Sequence, residues 1–204
     1  EAVRTFIGNS NCCAETLRNR PVFRNNSNIK FIFNGVETKI KKKKKLELDL
    51  RKKLKIKKGL ICLMLATYEK RKGHSFLFKA FQNVYSKYPE THLVICGDGS
   101  KKEKQFVINQ KEKLSPHSNI YLLDFIPGGS ELIDQVDILL VASQEWESFG
   151  WTVIEGMVRS KPVVSTNVGG LAEVMGQEEL SQYAINPRDY RNFSNKICDL
   201  INDS

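Results

Sequence analysis

The sequence predicts an α/β fold built on a doubly wound parallel sheet. Three observations carry this expectation. Short apolar runs such as LICLMLA and DILLV read as strands covered on both faces. Between such runs lie amphipathic stretches whose apolar residues recur at helical spacing. The two kinds of segment alternate at the distances that strand–helix–strand crossovers require.

Taken in order, residues 29–33 read as a short strand ending at the turn signal Asn34-Gly35. In the basic stretch that follows, Leu46, Leu50 and Leu54 recur every four positions, so part of it forms a helix with a charged outer face. Residues 60–66 are an apolar strand. Residues 72–88 have helical spacing through Phe76, Phe78, Ala80, Phe81, Val84 and Tyr85, closed by Pro89. His92–Cys96 is the next strand, ended by Gly97-Asp98-Gly99, and Lys101–Leu114 an amphipathic helix. A strand at 119–123, a short helix at 130–135 and a strand at 137–141 follow. Then come a helix at 152–160, a strand at 162–165, a helix at Gly170–Met175, a strand at 183–185 and a helix at 190–201.

The chain has 204 residues, which suits one domain or one domain and part of another. Its net charge of +9 is concentrated in one place. Residues 39–58 hold 12 Lys/Arg against Glu47 and Asp49, while the other residues carry 20 basic and 21 acidic groups. Global charge therefore makes no case for nucleic-acid binding. The lysine run reads as a solvated charged linker, and an anionic membrane surface is the partner it would otherwise take. Lys41–Lys45 has no apolar residue to bury and is expected to be dispensable for folding. The longest unbroken apolar run is seven residues, against the ~20 that a span needs. Five scattered cysteines without metal-ligand spacing, and no basic-then-apolar leader, point to a reduced, cytoplasmic chain, at most peripheral at the inner face of a membrane. The expected domains are 1–40 (the end of an upstream domain), 41–58 (a linker) and 59–204.

In open parallel sheets ligands bind beyond the carboxyl ends of the strands. The loops there are 67–72, 97–100, 124–129, 143–150 and 166–170. The richest is SQEWESFG, running into WTVIEGM. Phe149-Gly150 opens a helix, whose free amides and dipole favour phosphate or another electron-rich group. Glu147 just before it and Glu155 about a turn inside would repel a bare phosphate, but they accept from the hydroxyls of a ligand that carries both kinds of group. A nucleotide-activated sugar does. The alternative is an acidic helix start that the dipole favours in any protein. In TYEKRKGH, the cluster Lys70, Arg71 and Lys72 precedes a helix, where positive charge works against the dipole, so it suits a diphosphate. A surface-charged helix start is the plainer reading. Gly97-Asp98-Gly99 lacks the dinucleotide pattern. Gly169-Gly170 marks another close approach.

In order, SQEWESFGWTVIEGM and SKPVVSTNVGGLAE resemble the pattern S-x-x-E-g-f-G-x-x-x-x-E-a-m … G-x-P-V-v-x-t-x-x-G-G-x-x-E. It belongs to the retaining glycosyltransferases of the GT-B fold (group 1, family four). KGHSFLFKAF, HLVICGDG and NIYLLDFI match further family segments, and SNIKFIFNGVE resembles the end of the family's amino-terminal domain. The resemblance implies a Rossmann-like carboxyl-terminal half that binds a nucleotide diphosphate sugar and passes a hexosyl group, with retention, to a glycan or lipid-linked acceptor held by the other domain. It implies Glu147 at the donor sugar as the catalytic residue, Glu155 at the ribose, the amides of Ser148, Phe149 and Gly150 at the sugar-phosphate, and Lys72 at the diphosphate. Where the family carries a phosphate arginine this chain has Thr67, with Lys70 and Arg71 as the nearby replacements. Ser160 stands where the family has a small glycine. Neither cofactor nor metal is implied, since the donor loops lack a D-x-D pair. Two other readings stand beside this one: a sugar-nucleotide epimerase of the same fold, and a basic membrane- or nucleic-acid-binding module acting through residues 39–58.

Overall fold

The computed structural model describes residues 5–23, 28–37, 46–176 and 178–203. Lys41–Lys45, expected to be dispensable, lies outside them. Two parallel sheets are present. The smaller pairs β1 (Phe6–Gly8) with β2 (Ile29–Phe31), joined through α1 (Asn11–Arg18). The larger begins after α2 (Leu50–Leu54). Its strands are β3 (Ile61–Leu65), β4 (His92–Cys96), β5 (Ile120–Leu123), β6 (Ile138–Val141), β7 (Val163–Thr166) and β8 (Ala184–Ile185). The helices between and after them are α3 (His74–Lys87), α4 (Lys101–Leu114), α5 (Trp151–Val158), α6 (Gly170–Met175) and α7 (Tyr190–Asn202). The strand order is β5-β4-β3-β6-β7-β8, all parallel. This is the doubly wound α/β arrangement that the alternation implies.

Alternation along β3 shows why the sheet must be covered twice. Cys62 and Met64 bury into a layer with Phe78, Phe81, Phe193 and Ile197, from α3 and α7. Ile61 and Leu63 bury on the opposite face with Leu132, Ile133, Val153 and Leu171. A strand with both sets of side chains removed from water reads as an unbroken apolar run. Local signals fix several boundaries. Ser100 and Glu103 form a reciprocal cap at the start of α4: Ser100 N donates to Glu103 Oε2 at 2.8 Å, and Glu103 N donates to Ser100 Oγ at 3.3 Å. The short helix expected at 130–135 is a 3₁₀ turn, Gly129–Gln135.

The segment expected as a solvated linker packs against the body over its described part. The fourfold leucine spacing is real, but the helix it signals covers only Leu50–Leu54. Asp49 caps it, accepting from Lys52 N at 3.0 Å, and Lys55 ends it in the left-handed region at φ 56°. Leu50 and Ile56 are buried in the same layer as Leu132 and Val153. Gln135 ties the segment down, accepting from Leu50 N and donating to Leu48 O, each at 2.8 Å. Burying a leucine fully contributes about 1.5–3 kcal/mol, which favours the packed arrangement.

β1 and α1 had no counterpart in the sequence reading. Their elements are short, and α1 carries one fully buried residue, Ala14. Among the described residues no helix is long and apolar enough to cross a membrane.

Candidate functional site

From β3 the chain winds out through β4 to β5; from β6 it winds the other way through β7 to β8. The crevice between the carboxyl ends of β3 and β6 is therefore the point where the strand order reverses, and there the flanking loops must part. A cavity of about 220 Å³ lies there. Met64, Leu65 and Ala66 from the end of β3, and Leu140 to Ser143 from β6, form its floor. Lys72, Glu147, Ser148, Gly150, Trp151 and Thr152 close it.

Two loops are locked together to make this wall. Gln144 N donates to Arg71 O at 2.7 Å. Gly73 passes so close to Ala142 O that a Cβ there would collide with it, and its φ of 81° favours glycine in any case. The turn Lys70–Lys72 thus stands on the loop after β6, which brings Lys72 to Glu147. Lys72 Nζ donates to Glu147 Oε2 at 2.6 Å, with the two side chains 16% and 17% exposed. Ser143 Oγ donates to the same oxygen at 3.1 Å, and Arg71 Nη1 lies 3.9 Å from it. Arg71 is held mainly by Glu69, whose Oε2 accepts from Arg71 Nε at 2.7 Å. That bond and a second from Thr67 Oγ1, at 2.8 Å, keep the Glu69 carboxyl below its usual range, and Glu69 in turn raises Arg71.

Gly150 precedes α5 at φ 95°, and no side chain caps the helix start. Its φ favours glycine, and a Cβ there would lie 2.5 Å from Leu171 Cδ2, so Leu171 would have to shift. The opposite wall of the loop is built by Gly169 and Gly170. A Cβ on either would meet the backbone of Glu147 or Ser148, and Gly170 N donates to Glu147 O at 2.7 Å. The close approach read at Gly169-Gly170 is thus made to this loop.

A second, shallower cavity of about 460 Å³ opens beside the first and shares Leu65 and Ala66 with it. Thr67, Gly97, Asp98, Phe125, Ser130 and Glu155 are among the residues that line it. The two glutamates are thus divided, Glu147 in one cavity and Glu155 in the other. Of the residues singled out in the sequence, Lys72, Glu147, Ser148 and Gly150 meet at the first cavity. Thr67 and Glu155 sit in the second. Lys70 is exposed and lines neither. The buried Phe149 ring turns away to Phe33 and Trp151, at centroid distances of 6.3 and 5.5 Å.

Sequence reading missed Ser143 and Glu69. Both lie in loops the sequence singles out: Ser143 reaches a carboxylate four positions on, and Glu69 pairs with Thr67 and Arg71, each two positions away. It also missed His74, which is 2% exposed, has no hydrogen-bond partner at either ring nitrogen among the described residues, and lies beside Tyr68 at 5.5 Å. Burial above all, then the Lys72 charge, pushes its pKa down to about 4. Among the described residues no group of three or more His, Cys, Asp or Glu side chains is placed to hold a metal ion.

Comparison with known proteins gives this geometry a family. An uncharacterized glycosyltransferase of Methanocaldococcus jannaschii, MJ1059, is 33% identical over 112 residues, covering 54% of this chain and 27% of the relative. The O-antigen biosynthesis glycosyltransferase WclY of Escherichia coli is 27% identical over 129 residues, 63% of this chain and 35% of that one. The chain thus spans about a third of the length of the curated relatives it matches. The Anabaena protein Alr3699/HepE, solved with UDP and glucose, superposes with a TM-score of 0.80 at 20% identity, over 98% of this chain and 54% of that one. The family model "Glycosyl transferases group 1" matches residues 47–204. The chain therefore belongs to the group 1 glycosyltransferases, with the carboxyl-terminal, Rossmann-like half of their GT-B fold.

Proposed function

We propose that this chain is the donor-binding half of a glycosyltransferase that moves a hexosyl group from a nucleotide diphosphate sugar to an acceptor hydroxyl, with retention. The observation that carries the reading is the Lys72–Glu147 pair at the crevice, 2.6 Å apart and facing the uncapped start of α5. A cation and a helix start suit a diphosphate, and a carboxylate beside them suits sugar hydroxyls. The Anabaena neighbour was also solved with UDP-glucose, which supports a donor of that class.

In this reading the diphosphate enters between Lys72 and the α5 amides of Trp151 and Thr152. Lys72 exchanges Glu147 for phosphate, and Glu147 turns to the sugar hydroxyls. Thr67 occupies the place of an arginine, so Arg71, already within 4 Å of Glu147, supplies the second cation. Glu155 accepts from the ribose in the second cavity. As the glycosidic bond breaks, its electron pair leaves with the nucleoside diphosphate, and Lys72, Arg71 and the helix start stabilise the growing charge. The acceptor oxygen joins the anomeric carbon, and its proton passes to the departing diphosphate oxygen. The acceptor, a glycan or lipid-linked hydroxyl, is held by an upstream domain of which residues 1–40 are the last elements, and residues 39–58 meet an anionic membrane surface.

Calorimetry with UDP and GDP on the chain and on Lys72→Ala tests this. Binding that is lost or reduced about tenfold or more in the variant is the expected result, and equal affinity removes Lys72 from the site.

A further inference from the structure

The first turn of α1 finds its partners in two places. Ser10 meets two of its first four amides: its Oγ accepts from Cys13 N at 3.1 Å and its carbonyl from Ala14 N at 3.2 Å. The other two are met from the far side of the chain. Glu173 Oε2 accepts from Asn11 N at 2.9 Å and Oε1 from Cys12 N at 2.6 Å, across 162 and 161 positions of sequence. Both bonds are charge-assisted, and a carboxylate at a helix start is favoured by the dipole.

Glu173 lies on α6, three residues past Gly170, whose amide holds Glu147 O. One short helix therefore grips the loop that carries Glu147 and Ser148 at its start, and α1 a turn later. The loop also touches α1 directly, with Cys13 Sγ 3.6 Å from Ser148 O. The contacts form a ring: α6 to loop, loop to α1, α1 back to Glu173.

We infer that Glu173 is a latch, whose carboxylate holds α1 onto the body built on the larger sheet and through α1 sets the position of Ser148 and Glu147. Glu173 is a positioning residue, since it lines neither cavity. Its chemistry suits a contact that opens and closes. When the two segments part, two carboxylate oxygens and two amides return to water together, so part of what the bonds contribute is regained as hydration. A buried apolar contact in the same place would have no such exchange.

The nucleotide arm of the test rests on the donor-site reading; the exchange arm does not. Amide hydrogen exchange on the 204-residue chain reads the latch. In Glu173→Ala the amides of Asn11 and Cys12 are expected to exchange about tenfold faster or more, ~1.4 kcal/mol, while β3 to β7 keep their protection. Glu173→Gln, with one acceptor oxygen in place of two, is expected to fall between. Unchanged exchange at Asn11 and Cys12 overturns the latch, as does loss of protection at β3 and β7 alongside it, which would make Glu173 a general support of the fold. UDP affinity is expected to fall about three- to tenfold in Glu173→Ala and to recover in part in Glu173→Gln. Faster α1 exchange with unchanged UDP affinity overturns the link to Ser148. Absence of UDP binding in the unmutated chain counts against the donor reading, and exchange then decides the latch alone.

Discussion

Lys72 and Glu147 are paired across the crevice at 2.6 Å, with Arg71 3.9 Å from the same carboxylate oxygen, so an anion that binds Lys72 meets a carboxylate already there. In the donor reading this makes Glu147 a competitor of the diphosphate. Glu147→Gln removes the competing charge and leaves a neutral amide of the same size. Free UDP should then bind about three- to tenfold tighter, ~0.7–1.4 kcal/mol, as for a partly exposed pair. Calorimetry checks it; equal or weaker binding means that Glu147 does not hold Lys72 away from the phosphate.

Glu155 should behave in the opposite way. It lies in the second cavity, away from Lys72, and in the donor reading it accepts charge-assisted hydrogen bonds from the ribose. Glu155→Gln should weaken UDP and UDP-sugar alike by about tenfold, in line with the ~1.5–3 kcal/mol of such bonds. Titrating both ligands into both variants separates the two glutamates; parallel behaviour of the pair would sink the division of roles.

His74 should make stability depend on pH. Its ring is neutral in the fold, with the pKa pushed from 6.5 to about 4 by burial and by Lys72. Between those values the unfolded chain takes up a proton that the folded chain refuses. Stability is therefore complete above about pH 6.5 and falls as pH drops toward 4, by up to about 3 kcal/mol. Urea unfolding at pH 7 and pH 4.5 should show the loss in the parent chain and a smaller one in His74→Leu. Identical losses in both would exonerate His74.

Gly73→Ala should destabilise the chain and spoil the site together. Alanine at φ 81° is strained, and its Cβ would press on Ala142 O. A cost of at least ~2 kcal/mol follows, or about 4–8 °C in the thermal midpoint of a chain this long. A midpoint within a degree of the parent would show that the turn Lys70–Lys72 does not need to stand on the loop after β6.

Leu50→Ala tests the packing of the basic segment. A leucine with no exposed surface leaves a cavity when truncated, at ~2–5 kcal/mol. Leu48→Ala, two residues before it but only partly buried, should cost less. Equal, small effects in chemical denaturation would mean that residues 46–56 are held loosely after all.

The elements that read clearly in the sequence are those whose signals are local. His92–Cys96 and Lys101–Leu114 have the bounds expected of them, because a buried run ends at glycine and a reciprocal cap starts a helix. In the basic segment the spacing of Leu46, Leu50 and Leu54 does signal a helix in part of it, Leu50–Leu54, but not that the segment packs on the body rather than standing in solvent. Which apolar residue finds a partner depends on Gln135, far along the chain. The site divides in the same way. Glu147, Glu155 and Lys72 stand out as residue types in suggestive loops. That Lys72 bonds Glu147 and that Glu173 reaches Asn11 are facts of topology, and no spacing announces them.

The strand order also makes the crevice a seam. β3, β4 and β5 form one run of the chain, β6, β7 and β8 another, and in the sheet the two runs join where Cys62 faces Ile138 and Leu63 faces Leu139. Lys72 belongs to the first run and Glu147 to the second. A chain cut between Leu123 and Ile138 would leave each fragment with one side of the cavity and one member of the ion pair. Neither fragment alone would hold a ligand there, and recovery of binding on mixing them would report that β3 and β6 have found each other.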